Sequence, residues 1–163
     1  MQRAAGADIE ARLGIVIMGA SLTPMPMSTV PVSAPTPGTL NCFLVEDSPL
    51  IRENLVATLQ EMLDLDVVGV AEDEAGALRW LHDEAVPCDI LIIDLFLKRG
   101  SGMSLLPKAR QLQPEAKVIV LTNYATADMR QRCEQLGADK VFDKSSELDE
   151  LIAYCLELAS SKA

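Results

Sequence analysis

Five short runs of apolar residues, rich in β-branched side chains, recur along the chain from residue 40 onward. Successive runs are separated by one helix-length segment, which is the spacing that crossovers between parallel strands require. The pattern predicts an α/β domain built on a five-stranded parallel sheet. The runs are Leu40–Val45, Val67–Ala71, Ile90–Ile93, Val118–Leu121 and Val141–Phe142.

Two of these runs, Ile90–Ile93 and Val118–Leu121, are apolar at every position instead of alternating with polar residues. A strand that is covered by helices on both faces shows this pattern, because neither face meets solvent. We therefore expect these two strands in the middle of the sheet.

The segments between the runs carry helix signals. Ser48 and Pro49 supply an N-cap and a first-turn proline, and apolar residues at helical spacing follow them. Near the carboxyl end, Ser146 is predicted to cap a last helix with an acidic first turn. In the second helical segment we interpret Trp80 as a packing residue and His82 as a solvated residue.

Residues 1–39 differ in composition from the rest of the chain. They hold five of the nine prolines and four of the seven methionines, and residues 21–38 show no hydrophobic periodicity. We interpret residues 1–39 as a disordered tail and residues 40–163 as the folded domain. The apolar stretch 13–20 is shorter than the roughly 20 residues of a membrane-spanning helix. A secretory signal is the alternative, but the arginines before this stretch are balanced by two acids.

The net charge argues against several classes of partner, and the cysteine usage indicates the cellular compartment. The 24 acidic and 14 basic residues give a net charge of −10, a field that repels phosphate backbones and anionic membranes. We therefore expect neither nucleic acid nor a membrane as a direct partner. No C-x-x-C pair is present, which favours free thiols and a cytoplasmic location. The four cysteines are Cys42, Cys88, Cys133 and Cys155.

Reactive side chains follow the ends of the predicted strands. The first strand is followed by Glu46 and Asp47, the third by Asp94, the fourth by Thr122 and the fifth by Lys144. In an open parallel sheet, ligands bind beyond the carboxyl ends of the strands. These side chains are therefore predicted to converge in one site.

The most informative of them is Asp94, because it follows four consecutive apolar residues. A carboxylate at the end of a buried strand costs free energy unless it is paired or bound to a metal. Three crowded carboxylates also repel one another, and a hard, oxygen-seeking cation such as Mg²⁺ relieves that repulsion. The sequence therefore predicts a magnesium site.

Residues 40–163 resemble the receiver domain of response regulators, the phosphoacceptor module of two-component signalling. The resemblance implies a doubly wound, flavodoxin-like sheet of five parallel strands in the order 2-1-3-4-5, with five helices. It rests on Phe43-Leu44-Val45-Glu46-Asp47-Ser48, Ile92-Ile93-Asp94-Leu95, Val120-Leu121-Thr122 and Gly137-Ala138 followed by Asp143-Lys144.

The resemblance also implies the roles of the site residues. Asp94 would take a phosphoryl group from a histidine kinase or a phosphotransfer protein, with Mg²⁺ held by Glu46, Asp47, Asp94 and the backbone carbonyl of Phe96. Lys144 would add a second positive charge to offset the anionic phosphoryl group.

Thr122 is the expected reporter of phosphorylation. Its hydroxyl would bond a phosphoryl oxygen and draw the following loop inward, towards the site. The usual aromatic switch position of the family holds Val141, with Phe142 on the opposite strand face. We therefore expect signalling through Thr122 and the 127–136 helix without an aromatic rotamer flip. Phe96 and Tyr124 should flank the site and slow hydrolysis of the phosphoryl group.

Only enough residues for one helix follow Lys144, so we expect a single-domain response regulator and not a classical enzyme. It would bind a downstream protein target when phosphorylated, as a monomer or weak homodimer. A receiver-like module that docks without phosphorylation is the alternative. A dehalogenase-type phosphohydrolase would need a second acid two residues after Asp94, where this chain has Phe96.

Overall fold

The computed structural model describes residues 15–18, 21–24, 39–83 and 87–162. The chain divides into two compact units, Met1–Thr36 and Pro37–Ala163. In the first unit, strands β1 (Ile15–Met18) and β2 (Ser21–Pro24) pair in antiparallel fashion. These eight residues lie in the segment predicted as a tail, and their pairing was not predicted because residues 21–38 show no hydrophobic periodicity. The rest of residues 1–38 lies outside the described residues.

The second unit is built on a parallel sheet of five strands, as predicted. The strand order is β4-β3-β5-β6-β7, which is 2-1-3-4-5 when the strands are numbered within the sheet. All four neighbouring pairs are parallel. The strands are β3 (Leu40–Val45), β4 (Leu65–Ala71), β5 (Ile90–Ile93), β6 (Lys117–Thr122) and β7 (Lys140–Asp143).

Five helices connect and follow these strands in the described part of the chain. Side-chain oxygens cap the first four of them, including the predicted cap Ser48, which accepts the amide of Ile51. None of the described helices is both long and apolar enough to cross a bilayer. The helices are α1 (Pro49–Met62), α2 (Glu74–His82), α3 (Gly102–Leu112), α4 (Ala127–Gln135) and α5 (Leu148–Lys162).

The start of α5 differs from the prediction. The helix begins at Leu148 instead of directly after Ser146. The backbone amides of Ser145 and Ser146 both donate to the Asp143 carboxylate, at 2.7 and 3.1 Å. These bonds form a turn after β7 that delays the helix, so the prediction of Ser146 as the cap was wrong.

Two separate half-cores lie on the two faces of the sheet. One is built with α1 and α5, and the other with α2, α3 and α4. Strand β5 alternates between them: Ile90 and Ile92 face the first half-core, while Leu91 and Ile93 face the second. Because both faces are covered, every residue of β5 is buried, as its apolar sequence predicted.

Two further predictions are confirmed, the packing role of Trp80 and the opposite orientation of Val141 and Phe142. Trp80 packs in the second half-core, with its ring stacked 4.0 Å from the ring of Phe43 at an interplanar angle of 9°. Val141 and Phe142 belong to opposite half-cores, so they point to opposite faces of β7.

Candidate functional site

The register of the central strands brings the predicted acids to one edge of the sheet. Val45 pairs with Ile93, so β3 and β5 end side by side, and the acidic residues follow both ends. Carboxylate oxygens of Glu46, Asp47 and Asp94 lie within 4.8 Å of one another. The side chains of Glu46 and Asp94 are almost completely buried, with residue exposures of 2% and 6%, whereas Asp47 is partly exposed.

The ammonium group of Lys144 lies between two of these acids. Its Nζ atom is 2.8 Å from Oε1 of Glu46 and 3.0 Å from Oδ2 of Asp94. Lys144 directly follows β7, and its backbone amide donates to the carbonyl oxygen of Thr122 at 2.9 Å. The lysine is therefore fixed at both its backbone and its side chain.

Backbone amides hold the remaining carboxylate oxygens. Oε2 of Glu46 accepts from the amide of Ser48 at 3.2 Å, and Oδ1 of Asp94 accepts from the amide of Phe96 at 3.2 Å. Arg52 of α1 donates to the backbone carbonyl of Glu46 at 3.0 Å, a contact that the sequence analysis did not foresee. Both buried carboxylates are thus oriented from two sides.

Burial and crowding change the proton affinity of this site. Burial raises the pKa of Glu46, and the neighbouring Asp94 charge adds to the increase, although bonds from Lys144 and Ser48 oppose it. For Lys144, burial by itself would lower the pKa, but bonds to Glu46 and Asp94 and their charges outweigh burial and raise it. Lys144 therefore remains an ammonium at neutral pH, beside three carboxyl groups.

The donor set fits a hard divalent cation. Mg²⁺ prefers oxygen ligands and is usually bound through one or two carboxylates together with water or phosphate oxygens. The position of Nζ shows that Glu46 and Asp94 can already hold a positive charge between them. Phe96, whose backbone carbonyl is the expected further ligand, donates its amide to Asp94, so its backbone lies beside the acids.

Thr122, the last residue of β6, is completely buried and lies next to β7, where it pairs with Asp143. Its hydroxyl oxygen accepts from the amide of Tyr124 at 3.2 Å. The same side chain keeps its own O–H available as a donor. Thr122 therefore joins strand β6 to the loop that leads into α4.

Two exposed aromatic rings lie at the surface of the site. Phe96 lies two residues after Asp94 and is 53% exposed, and Tyr124 lies two residues after Thr122 and is 59% exposed. Their rings meet edge to face, with centroids 4.9 Å apart. This contact brings together the two aromatic residues that were predicted to flank the site.

Gly102, the first residue of α3, was not predicted from the sequence as part of the site, yet its backbone packs directly against the backbone of Asp94. The only sequence signal was a glycine at a helix start after the cap Ser101, which does not indicate what packs against it.

Comparison with known proteins assigns this arrangement to a family. A family model described as the response regulator receiver domain matches residues 42–155. A protein of Pseudomonas aeruginosa named as a transcriptional regulator is 31% identical over 110 residues, which is 68% of this chain and 52% of that protein. The chain spans about half the length of the curated relatives it matches.

Solved structures agree on the fold. A response regulator from Burkholderia pseudomallei, crystallised with a phosphorylated aspartic acid, a calcium ion and citrate, is 25% identical with a TM-score of 0.62. The match covers 75% of this chain and 69% of that one. A two-component response regulator of the LuxR family from Aurantimonas sp. SI85-9A1 is 24% identical with a TM-score of 0.67, covering 76% and 87%. With the family model matching most of the chain, this protein belongs to the response regulator receiver domain family of two-component signalling.

Proposed function

We propose that Asp94 accepts a phosphoryl group from a histidine kinase or a phosphotransfer protein, and that phosphorylation switches binding to a downstream protein. The observation that carries the proposal is the contact of the buried Asp94 carboxylate with Lys144 in a cluster with Glu46 and Asp47. A receiver domain with this set of side chains has the charges that phosphoryl transfer needs.

In the proposed reaction, an oxygen of Asp94 forms a bond to phosphorus while the bond from phosphorus to the donor breaks. With a phosphohistidine donor, the imidazole leaves and regains a proton on its ring nitrogen. Mg²⁺ held by Glu46, Asp47, Asp94 and the Phe96 carbonyl would neutralise charge on the transferring group. Lys144, whose pKa is raised by its acidic neighbours, stays charged and can bond a phosphoryl oxygen.

Thr122 is proposed to report the modification. Its hydroxyl, free to donate, would bond a phosphoryl oxygen and move the loop before α4. Converting a two-state element from 1:99 to 99:1 requires about 5.5 kcal/mol, and one charge-assisted hydrogen bond contributes roughly 1.5–3 kcal/mol. Two such bonds, from Thr122 and Lys144, would supply roughly 3–6 kcal/mol and reach the required value only at the top of that range, so two or three bonds are needed and one alone does not suffice.

Intact-mass measurement after incubation with acetyl phosphate and Mg²⁺ tests the proposal without a partner protein. We expect one adduct of about 80 Da, the mass of one phosphoryl group. Asp94→Asn should abolish it, and Asp128→Asn, which removes an exposed carboxylate at the start of α4, should label like the parent.

Labelling of Asp94→Asn at the parent's level would show that another residue is the acceptor. A parent protein that never labels but still binds its target would favour the alternative, a receiver-like module that docks without phosphorylation.

A further inference from the structure

The guanidinium group of Arg130, on α4, donates to three different elements. Nε donates to the carbonyl oxygen of Ala125 at 2.9 Å, Nη1 to that of Val141 at 2.8 Å, and Nη2 to Oε1 of Glu147 at 2.7 Å. One side chain thus joins the loop after β6, the edge strand β7 and the turn before α5. The Val141 carbonyl lies on a strand at the edge of the sheet, so Arg130 also covers that edge.

The Glu147 end of this connection leads to Lys144. Oε1 of Glu147 accepts from the amide of Asp143 at 2.8 Å in addition to the bond from Arg130. The amide of Glu147 donates to the carbonyl of Asp143 at 2.9 Å, which closes the turn that contains Lys144. Movement of the Arg130 guanidinium therefore displaces Glu147 and, through it, Asp143, the residue before Lys144.

The Ala125 end leads to Thr122. Tyr124 donates its amide to the Thr122 hydroxyl, and Ala125 is the next residue, so displacement of this loop changes the position of the Ala125 carbonyl. The donors of a guanidinium are arranged in one rigid, planar fork. Arg130 therefore cannot follow Ala125 without altering its bonds to Val141 or Glu147.

We propose that Arg130 is a positioning residue that transmits movement of the Thr122 loop to the Lys144 turn and the start of α5. The proposal rests on the proposed phosphorylation of Asp94. It supplies a connection that the Val141 side chain cannot, because a β-branched residue has few rotamers and cannot swing as an aromatic ring does. Arg130 uses the backbone carbonyl of Val141, so the connection does not depend on which side chain occupies that position.

Amide chemical shifts of the full chain, recorded with and without beryllofluoride and Mg²⁺, test this connection. In the parent we expect shift changes in both 123–126 and 145–151. In Arg130→Gln the changes in 123–126 should persist, whereas those in 145–151 should fall by about two-fold or more. Arg132→Gln is the matched control: it removes the same charge from an exposed residue of α4 that makes no side-chain hydrogen bond among the described residues.

The measured quantity is the difference between two states of one variant, so a purely structural role of Arg130 would leave it unchanged. If Arg130→Gln unfolds, Arg130→Lys and Glu147→Gln provide the same test, because each alters the ion pair with a smaller change of shape. Parent-sized changes at 145–151 in the folded variants would overturn the proposal. A parent that forms no acetyl phosphate adduct and shows no shifts would instead overturn the proposed function.

Discussion

The backbone carbonyl oxygen of Asp94 lies at the position that a side chain on Gly102 would need. A Cβ atom built on Gly102 would be 2.1 Å from that oxygen and 2.8 Å from the Cα atom of Leu95. The amide of Gly102 also donates to the carbonyl of Leu95 at 3.0 Å. The first turn of α3 therefore packs directly on the backbone that presents the Asp94 carboxylate.

Gly102→Ala should consequently impair phosphorylation. The atoms that a methyl group would strike are backbone atoms, so either α3 or the Asp94 segment must move. A displacement of about 1 Å at a reacting group can reduce a rate about 100-fold. We expect a fall of at least about ten-fold in the rate of labelling by acetyl phosphate, together with a lower Tm. Parent-like labelling in Gly102→Ala would contradict this interpretation.

Removing either exposed aromatic ring should shorten the lifetime of the phosphorylated state. Phe96 and Tyr124 meet edge to face, and we expect each ring to exclude water from the site surface. In Phe96→Ala and Tyr124→Ala, we expect loss of the adduct to be about two-fold to ten-fold faster by intact mass. Leu156→Ala, which removes an exposed apolar residue of α5, is the control and should match the parent. An unchanged lifetime in both aromatic variants would exclude the rings as a barrier to water.

Glu46→Gln should stabilise the metal-free protein. The folded state raises the pKa of Glu46, so the charged form is disfavoured at neutral pH and stability rises as pH falls through that raised pKa. Glutamine removes the charge, and we expect a Tm increase of about 3–5 °C at pH 7.5, corresponding to roughly 1 kcal/mol. The gain should shrink as the pH falls through that raised pKa, because Glu46 of the parent then takes up a proton.

Added Mg²⁺ should reverse the order of the Tm values of the parent and Glu46→Gln, because a ligand that binds only the folded state stabilises that state. The parent should gain Tm with Mg²⁺ and Glu46→Gln should gain much less, while Glu53→Gln, an exposed change on α1, should behave as the parent. An equal response of parent and Glu46→Gln would remove Glu46 from the metal site.

The four cysteines should be unreactive in the folded protein. All are free and buried, and burial raises the pKa of Cys88 to about 12 and that of Cys155 to about 11. A raised pKa leaves little thiolate at pH 8, and only the thiolate attacks a disulfide reagent. DTNB should detect almost no thiol in native protein and four in urea. One rapidly reacting thiol in the native protein would show that a buried cysteine becomes accessible.

Thr122→Ala should separate phosphorylation from its structural response. The hydroxyl lies next to the loop and not between the Asp94 oxygens and Lys144, so labelling by acetyl phosphate should remain largely intact. The phosphorylation-dependent amide shifts of 123–136 should disappear. Shifts that persist in the variant, or that concentrate at Val141 and Phe142 in the parent, would show that another route carries the response.

The strands could be predicted from the sequence, and so could the meeting of the site residues at one edge of the sheet. Both follow from local patterns along the chain. Strands β3 and β5 have the predicted bounds, since each is a mainly apolar run, interrupted in β3 only by Asn41, that is directly followed by an acid. Strand β4 begins at Leu65, which pairs with Leu40, two residues before the predicted Val67. The residue between them, Asp66, pairs with Asn41 and breaks the apolar run. A polar residue near the end of an edge strand hides the start of the strand from pattern analysis.

The features that escaped prediction depend on contacts between distant residues. The turn that delays α5 requires Asp143 to bind two amides, which the sequence presents only as an acid after a strand. The Arg130 connection spans 17 positions to Glu147, and the Gly102 contact depends on how α3 lies on the sheet. Neither has a periodicity that could reveal it.

Because the sheet divides the interior into two half-cores, this protein should tolerate core substitutions on one face independently of those on the other. Neighbouring residues of β5, such as Leu91 and Ile92, belong to different half-cores, and the buried side chains of one half-core are not shared with the other. Changes in free energy from sites without common partners usually add to within about 0.5 kcal/mol. A double mutant with one truncation on each face should therefore show the sum of the two single effects. Each layer of helices can then accumulate substitutions independently, while the strands between them keep the site residues in register.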